Sequence, residues 1–331
     1  MKKVSLFTLV LFLLSAIAHA EPYRLGHGLK LHDSIHIGGY FSTDYEVGEE
    51  KRLLRLDDVA LLGYGNITPK FSYLVELEAA PYYKRDFRNH YQEYDRKFHY
   101  ERLYFDYHFS EYANFRIGKL ITPIGYWNLE PINVLRETSS SPSLSKKMFP
   151  KFLTGLDIYG YVPGVDTLTY HLFMQNSKDI DEDYINIKNR HFFGLSLENQ
   201  MSMDFQYGGS VGEYITEDTT RTRFFQLNAK YEDGAINVQA EAMVNHSENS
   251  SFVHETTKFS GYLQSEYHFN FQHALIGRYE YFDDDSVTLS NHIGIFGYSY
   301  RPIYPVSLKA EYQINSDSSK NKFLASFSVL F

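Results

Sequence analysis

NKFLASFSVLF, residues 321–331, is the stretch whose reading decides the fold. In steps of two it gives Phe323, Ala325, Phe327, Val329 and Phe331 on one side. The other side carries Lys322, Leu324, Ser326, Ser328 and Leu330. One wholly apolar face and one mixed face, at period two, mark a strand with different surroundings on its two sides. At the edge of a water-soluble sheet such an aromatic row invites aggregation. Facing lipid, it is at home.

The opposite end of the sequence agrees. Met1-Lys2-Lys3 is a basic start, Val4 to Ile17 is almost continuously apolar, and Ala18-His19-Ala20 precedes Glu21 as a small-residue cleavage site. Residues 1–20 therefore read as a cleaved secretory signal peptide. The apolar core is shorter than the roughly 20 residues a spanning helix needs. From 21 to 331 no long apolar run follows, and no composition shift divides the segment into two domains. The absence of cysteine excludes disulfides, zinc–thiolate sites and cysteine nucleophiles. With 32 basic against 41 acidic side chains, nucleic acid is not an expected partner. The 29 tyrosines and 26 phenylalanines, against one tryptophan, fit the aromatic girdles of a lipid-facing barrel better than a soluble sandwich.

Alternating segments recur along the chain. The periodicity predicts strands near 34–45, 52–64, 71–80, 98–109, 114–121, 153–162, 167–176 and 190–198. Eight more fall near 203–213, 222–231, 235–245, 257–268, 272–282, 288–300, 305–314 and 322–331. Sixteen is an even number, as single-chain outer-membrane barrels require. Short links such as Pro163-Gly164-Val165-Asp166 and Glu232-Asp233-Gly234 alternate with mostly longer polar links at 46–51, 81–97, 122–152, 177–189, 214–221, 246–256, 283–287 and 315–321. Short periplasmic turns and longer outer loops are the barrel pattern. The fold class expected is an all-β, antiparallel, up-and-down transmembrane β-barrel.

Parity is clean in several strands. Val238, Ala240, Ala242 and Val244 alternate with Asn237, Gln239, Glu241 and Asn245, and Val306, Leu308 and Ala310 with Ser307, Lys309 and Glu311. A polar interior in a barrel of about sixteen strands implies an aqueous channel. In 52–64, Arg55, Asp57 and Asp58 break any simple in/out assignment.

The longest link, TPIGYWNLEPINVLRETSSSPSLSKKMFPKF at 122–152, has no clear periodicity, and long loops of this kind tend to be functional. The third long link of a sixteen-stranded porin folds into the lumen, so 122–152 is expected to form the constriction. Its charges are Arg136, Lys146, Lys147 and Lys151 against Glu130 and Glu137.

The order KRLLRLDDVALLGYGNITPKFSYLVELEAA, then ERLYFDYHFSEYANFRIGKLITPIGYWNLE, resembles the N-terminal half of the phosphate-selective porin O/P family over about residues 50–130. The matching motif positions are Gly118, Lys119, Pro123 and Gly125, with Leu120 and Ile124 where that family prefers aromatics. The resemblance implies an outer-membrane channel, and Lys119 joins the constriction set. That family conducts anions with inward arginines and lysines, and this chain departs from the pattern. The inward parities place Glu76, Glu78, Asp106, Asp157, Glu198, Asp204, Glu241, Glu266, Glu280 and Glu311 on the wall. Against them stand Arg102, Arg116, Arg190, Lys230, Lys258, Arg278 and Lys309. A wall richer in acid than base does not concentrate phosphate.

Other chemistry is weakly signalled. His27, His32 and His36 match no metal-ligand spacing, and no metal or cofactor is expected. Asp283-Asp284-Asp285 reads as a solvated loop. His108 and His171 lie on inward parities, but no serine motif accompanies them, so no enzyme is expected. The function expected is passive, weakly selective diffusion of small hydrophilic solutes and ions across the outer membrane of a Gram-negative cell. A channel specific for phosphate or another small anion is the alternative, with an outer-membrane enzyme or a non-conducting structural barrel behind it. The partners expected are outer-membrane lipid and lipopolysaccharide, the barrel-assembly machinery, which reads Phe331 in the last strand, and two further copies in a homotrimer.

Overall fold

A computed structural model describes residues 23–32, 34–95, 97–182, 184, 186–249, 252–286 and 289–331. The segment 1–20, expected to be a leader, lies outside the described residues. The strands are β1 (Leu29–His32), β2 (Ile35–Gly48), β3 (Arg52–Thr68), β4 (Phe71–Ala79), β5 (Tyr83–Asp86), β6 (Tyr91–Tyr94), β7 (His99–His108), β8 (Asn114–Ile121), β9 (Phe152–Val162) and β10 (Val165–Gln175). They continue as β11 (Asn189–Gln200), β12 (Phe205–Thr216), β13 (Arg221–Glu232), β14 (Ile236–Asn249), β15 (Phe252–Asn270), β16 (His273–Asp284), β17 (Leu289–Ile303), β18 (Val306–Asn315) and β19 (Lys322–Leu330). One short helix, α1 (Ser143–Lys147), lies in the long link.

Sixteen of these strands close into an antiparallel barrel. β2, β3, β4 and β7 pair in turn, β7 through β19 follow in chain order, and β19 pairs back onto β2 from Lys322↔Gly48 to Leu330↔Tyr40. Closure leaves none of the sixteen barrel strands with an open edge, which matters in lipid because each unpaired backbone group there costs several kcal/mol. No described helix is long and apolar enough to cross a membrane, which says nothing about strands. Three strands lie outside the periodicity-based set. β1 pairs with the start of β2, and β5 and β6 form a hairpin in the 81–97 link that extends the far end of β3.

The short links share a device. Thr68, Ser110, Ser202, Asp233 and Asn270 each accept, through the side chain, a backbone N–H two or three residues on, as in Asp233 Oδ1 from Ile236 at 2.8 Å. Such local acceptors reverse the chain without help from elsewhere. At Pro163-Gly164 the proline presets φ and Gly164 takes φ of 83°.

Outward parities carry the exposed apolar side chains, among them Phe105, Ile117, Phe193, Leu227, Tyr279 and Phe296. The 321–331 stretch obeys the same rule: Phe323 and Phe327 face out, and Leu324, Ser326 and Ser328 are buried inside.

One β-bulge explains the strand that parity leaves open, and a second re-aims a charge in β7. Phe41 pairs with Val59 but Thr43 with Leu56, so Ser42 faces both Asp57 and Asp58. Leu53, Arg55 and Asp57 then point inward on one parity, and Asp58, Ala60 and Leu62 on the other. In β7, Glu76 pairs with Arg102 and Leu77 with Tyr100, leaving Glu101 as the extra residue. A bulge re-aims side chains. Here it turns neighbouring charges, Asp57 with Asp58 and Glu101 with Arg102, to the same side.

Candidate functional site

The link 122–152 lies inside the barrel and is bonded to its far wall. Glu241 Oε1 on β14 accepts the backbone N–H groups of Tyr126 and Trp127, both at 2.9 Å. Glu280 accepts from Ser143 N–H at 2.9 Å and Glu311 from Ser140 N–H at 3.1 Å. Arg278 donates to the Ser140 carbonyl at 2.9 Å and to Thr138 Oγ1 at 3.0 Å. Lys309 donates to the Asn133 carbonyl at 2.5 Å, and Arg301 pairs with Glu137 at 2.8 Å. Two glycines of the motif make the entrance of the link possible. Gly118 has φ of 135°, and a Cβ there would sit 2.1 Å from the Leu103 carbonyl oxygen. Gly125 has φ of 67°, and its Cβ would sit 2.0 Å from Glu241 Oε2. Only glycine fits either position.

The link is also packed. Ile124, Trp127, Leu144, Met148 and Phe149 join Phe173, Phe192, Tyr214, Phe224, Met243, Tyr262 and Phe282 from the inner wall in one apolar cluster. A uniformly polar interior is therefore corrected: β10–β16 carry a dry patch, covered by the link. Each fully buried side chain of this kind contributes about 1.5–3 kcal/mol, so the link is held against the wall. The single tryptophan, Trp127, has Arg136 and Arg278 each 5.1 Å from its ring.

Beside the link, against β2–β4, β7 and β19, lies a cavity of about 730 Å³. Its lining includes six carboxylates, Asp44, Glu46, Asp57, Asp58, Glu78 and Glu101, and six cations, Lys51, Arg55, Arg136, Lys146, Lys151 and Lys322. The carboxylates all come from β2, β3, β4 and β7. Four of the cations come from the link and β19. Arg55 lies 3.3 Å from Glu46, Lys51 3.0 Å and Lys322 3.5 Å from the same carboxylate, and Lys151 3.5 Å from Glu101. Tyr40 donates to Glu76 at 2.9 Å and to Glu101 at 3.1 Å. Lys146 is exposed to the cavity, but desolvation by the enclosing barrel, and then the neighbouring Lys322 cation, push its ammonium down to about 8. Burial also lowers Arg136, whose Nε has no hydrogen-bond partner.

The expected constriction residues thus separate. Arg136, Lys146 and Lys151 line the cavity. Lys147 does not; its ammonium lies 4.3 Å from the Phe282 ring, over the apolar patch. Glu137 is tied to Arg301. Glu130 has Lys230, Glu266 and Glu232 among its charged neighbours, toward the short-turn end. Lys119 is fully buried, bonded to Asp179 at 2.9 Å beneath the 176–188 link, and is absent from the lining.

Most wall charges are engaged as well. Arg116 pairs with Asp106 at 2.8 Å, Arg102 with Glu76, Lys258 with Asp284 at 2.9 Å and Lys230 with Glu232 at 2.8 Å. Glu198 accepts from Asn228 and Tyr126, Glu266 from Asn237, and Asp157 contacts His171 at 2.9 Å. Two placements are corrected. Asp204 is exposed in the turn before β12, because that strand begins only at Phe205. Arg190 is exposed at the far end of β11, where pairing is irregular between Asn189 and His191. The residues missed were those the bulges re-aim, above all Asp57, Asp58 and Glu101; the broken parity of 52–64 signals the two aspartates, and nothing in β7 signals Glu101.

His108 Nε2 stands 3.4 Å from Ser72 Oγ, and His171 stacks on Tyr159 beside Asp157. Among the described residues no contact joins a serine, a histidine and a carboxylate in series. No group of three described His, Asp or Glu residues is placed to hold a metal.

By sequence the chain matches no protein-family model and no curated protein. Its fold is shared with solved structures. An outer membrane protein of Vibrio cholerae, OmpT in its trimer form, matches with a TM-score of 0.66 at 10% identity, over 90% of this chain and 99% of that one. The anion-selective porin from Comamonas acidovorans matches with a TM-score of 0.62 at 10% identity, over 90% and 99%. The outer membrane channel DcaP of Acinetobacter baumannii gives 0.63 at 8% identity, over 93% and 100%. At such identities the likeness is one of fold: this chain has the closed sixteen-stranded architecture of those porins and channels.

Proposed function

We propose that this chain is a porin of the Gram-negative outer membrane, a water-filled channel for passive, weakly selective diffusion of small hydrophilic solutes and ions. The observation that carries the reading is the lumen, where six carboxylates and six cations line one cavity of about 730 Å³ beside an inward-folded link. Balanced charge of both signs raises the local concentration of neither ion strongly. Export behind the 1–20 leader, insertion by the barrel-assembly machinery, contact with lipopolysaccharide and assembly as a homotrimer belong to the same reading. The trimeric OmpT structure supports the last of these by its fold.

The test is single-channel recording in a planar bilayer under a salt gradient. Discrete conductance steps with a small zero-current potential are expected, and phosphate in place of chloride should not block them. A protein that folds but never conducts overturns the channel reading. Strong anion preference with block by dilute phosphate would restore the specific channel that the Gly118–Gly125 motif resembles.

A further inference from the structure

A second link enters the lumen. The described residues of 176–188, between β10 and β11, cross over β9 and reach β8, β7 and β4. Lys119 on β8, fully withdrawn from solvent, donates to Asp179 Oδ2 at 2.9 Å and to the Asp181 carbonyl at 3.2 Å. Thr154 on β9 donates to the other oxygen of Asp179 at 2.8 Å and accepts from Ile180 N–H at 3.2 Å. On β7, the Asp181 carboxylate meets His99 Nδ1 at 3.0 Å and accepts the Tyr100 N–H at 3.1 Å. Tyr184, almost wholly buried, donates from its hydroxyl to Glu78 on β4. Beyond these anchors, Tyr184, Asn186 and Ile187 line the same cavity as Arg136 and Lys146.

We propose that 176–188 is a second constriction element, and that Lys119 is the positioning residue that holds it across the lumen. The argument is electrostatic. An ammonium with no solvent exposure requires a carboxylate close by, because burying an unpaired charge is strongly unfavourable. Asp179 is the carboxylate bonded to Lys119, and it belongs to the link rather than to the wall. Because the link itself covers Lys119, its inward position is favourable only while Asp179 pairs the ammonium; without that carboxylate, outward movement that returns the lysine to water is favoured. Lys119 therefore acts on pore width through Asp179, although it touches no solute. The inference rests on the channel reading above.

The full-length protein, refolded and inserted in a planar bilayer, tests it. Asp179→Asn should free the link and raise single-channel conductance about 1.5-fold, since conductance follows the narrowest cross-section. The chain has no cysteine, so a disulfide can restore the link. Adding Thr154→Cys and Ile180→Cys to Asp179→Asn should return conductance to the wild-type value on oxidation and raise it again on reduction. Should Asp179→Asn fail to fold, Tyr184→Ala keeps the Lys119 pair and removes a lining side chain, and it too should conduct more than wild type. Unchanged conductance in the folded variants, or no response to oxidation, overturns the second constriction while leaving the channel intact. A wild-type protein that does not conduct overturns the channel reading instead.

Discussion

Glu241 on β14 and Trp127 in the 122–152 link are joined by a backbone N–H to carboxylate bond of 2.9 Å, and the adjacent Tyr126 N–H donates to the same oxygen. One carboxylate thus seats the start of the link, more than a hundred residues away in sequence. The same oxygen also accepts from the buried Tyr262 hydroxyl at 2.5 Å and from Gln239 at 3.3 Å. Removing it leaves at least the two backbone N–H groups and the tyrosine hydroxyl without this acceptor, at about 1–3 kcal/mol each. Glu241→Ala should therefore lower stability by roughly 3 kcal/mol or more in denaturant titrations of the detergent-solubilised barrel. Gly125→Ala should act in the same direction, because its methyl group would displace that carboxylate. Wild-type midpoints for both would show that the link is held some other way.

Lys146 and Lys147 are neighbours with different surroundings. Lys146 lines the cavity, while Lys147 lies over Phe282. Lys146→Ala should move the zero-current potential toward cation preference, most clearly at low salt, where the Debye length is about 30 Å at 0.01 M. Lys147→Ala should leave selectivity nearly unchanged and cost about 0.5–1 kcal/mol of stability through the lost cation–π contact. Equal shifts from both would contradict this division.

The Lys146 ammonium, pushed down to about 8, also predicts a pH dependence. The group is cationic below that value and neutral above it. Raising the pH from 6 to 9.5 should therefore shift the zero-current potential toward cations, with a midpoint near 8. Lys146→Arg should flatten the curve, because a guanidinium stays charged throughout. A midpoint that survives in the arginine variant would assign the titration to another group.

Phe149 is fully buried where the link meets the inner wall. Phe149→Ala should cost about 3–5 kcal/mol by leaving a cavity in a packed cluster. The same loosening should appear as open-channel noise in bilayer recordings. A quiet, fully stable variant would mean that the apolar patch does not hold the link.

All sixteen barrel strands were legible in the sequence, because turn residues and link lengths agree along the chain and parity is clean in most strands, 52–64 excepted. Less legible were features that depend on register. Asp57 and Asp58 cannot both face inward at period two, and only the extra residue opposite Ser42 allows it. The apolar patch left a signal of another kind. Met243 stands between Glu241 and Asn245 in an otherwise polar row, and Phe282 follows Arg278 and Glu280 in the same way. Single large apolar residues on the water side of neighbouring strands mark a surface that something covers. Lys119 was grouped with the constriction by its charge and motif, and no local pattern foretells that a later link would bury it beside Asp179.

The chain's one tryptophan gives the protein a built-in optical reporter. Trp127 is buried in the lumen at 6% exposure, between two guanidinium groups, rather than at the lipid interface where tryptophans of membrane proteins collect. Its emission therefore senses the seating of the link and is insensitive to the bilayer. Brominated lipid should leave the fluorescence unchanged, whereas release of the link into lumen water should shift it to the red. The position of the 122–152 link can thus be followed in the unlabelled protein, in detergent or in vesicles, while a channel is opened, titrated or unfolded.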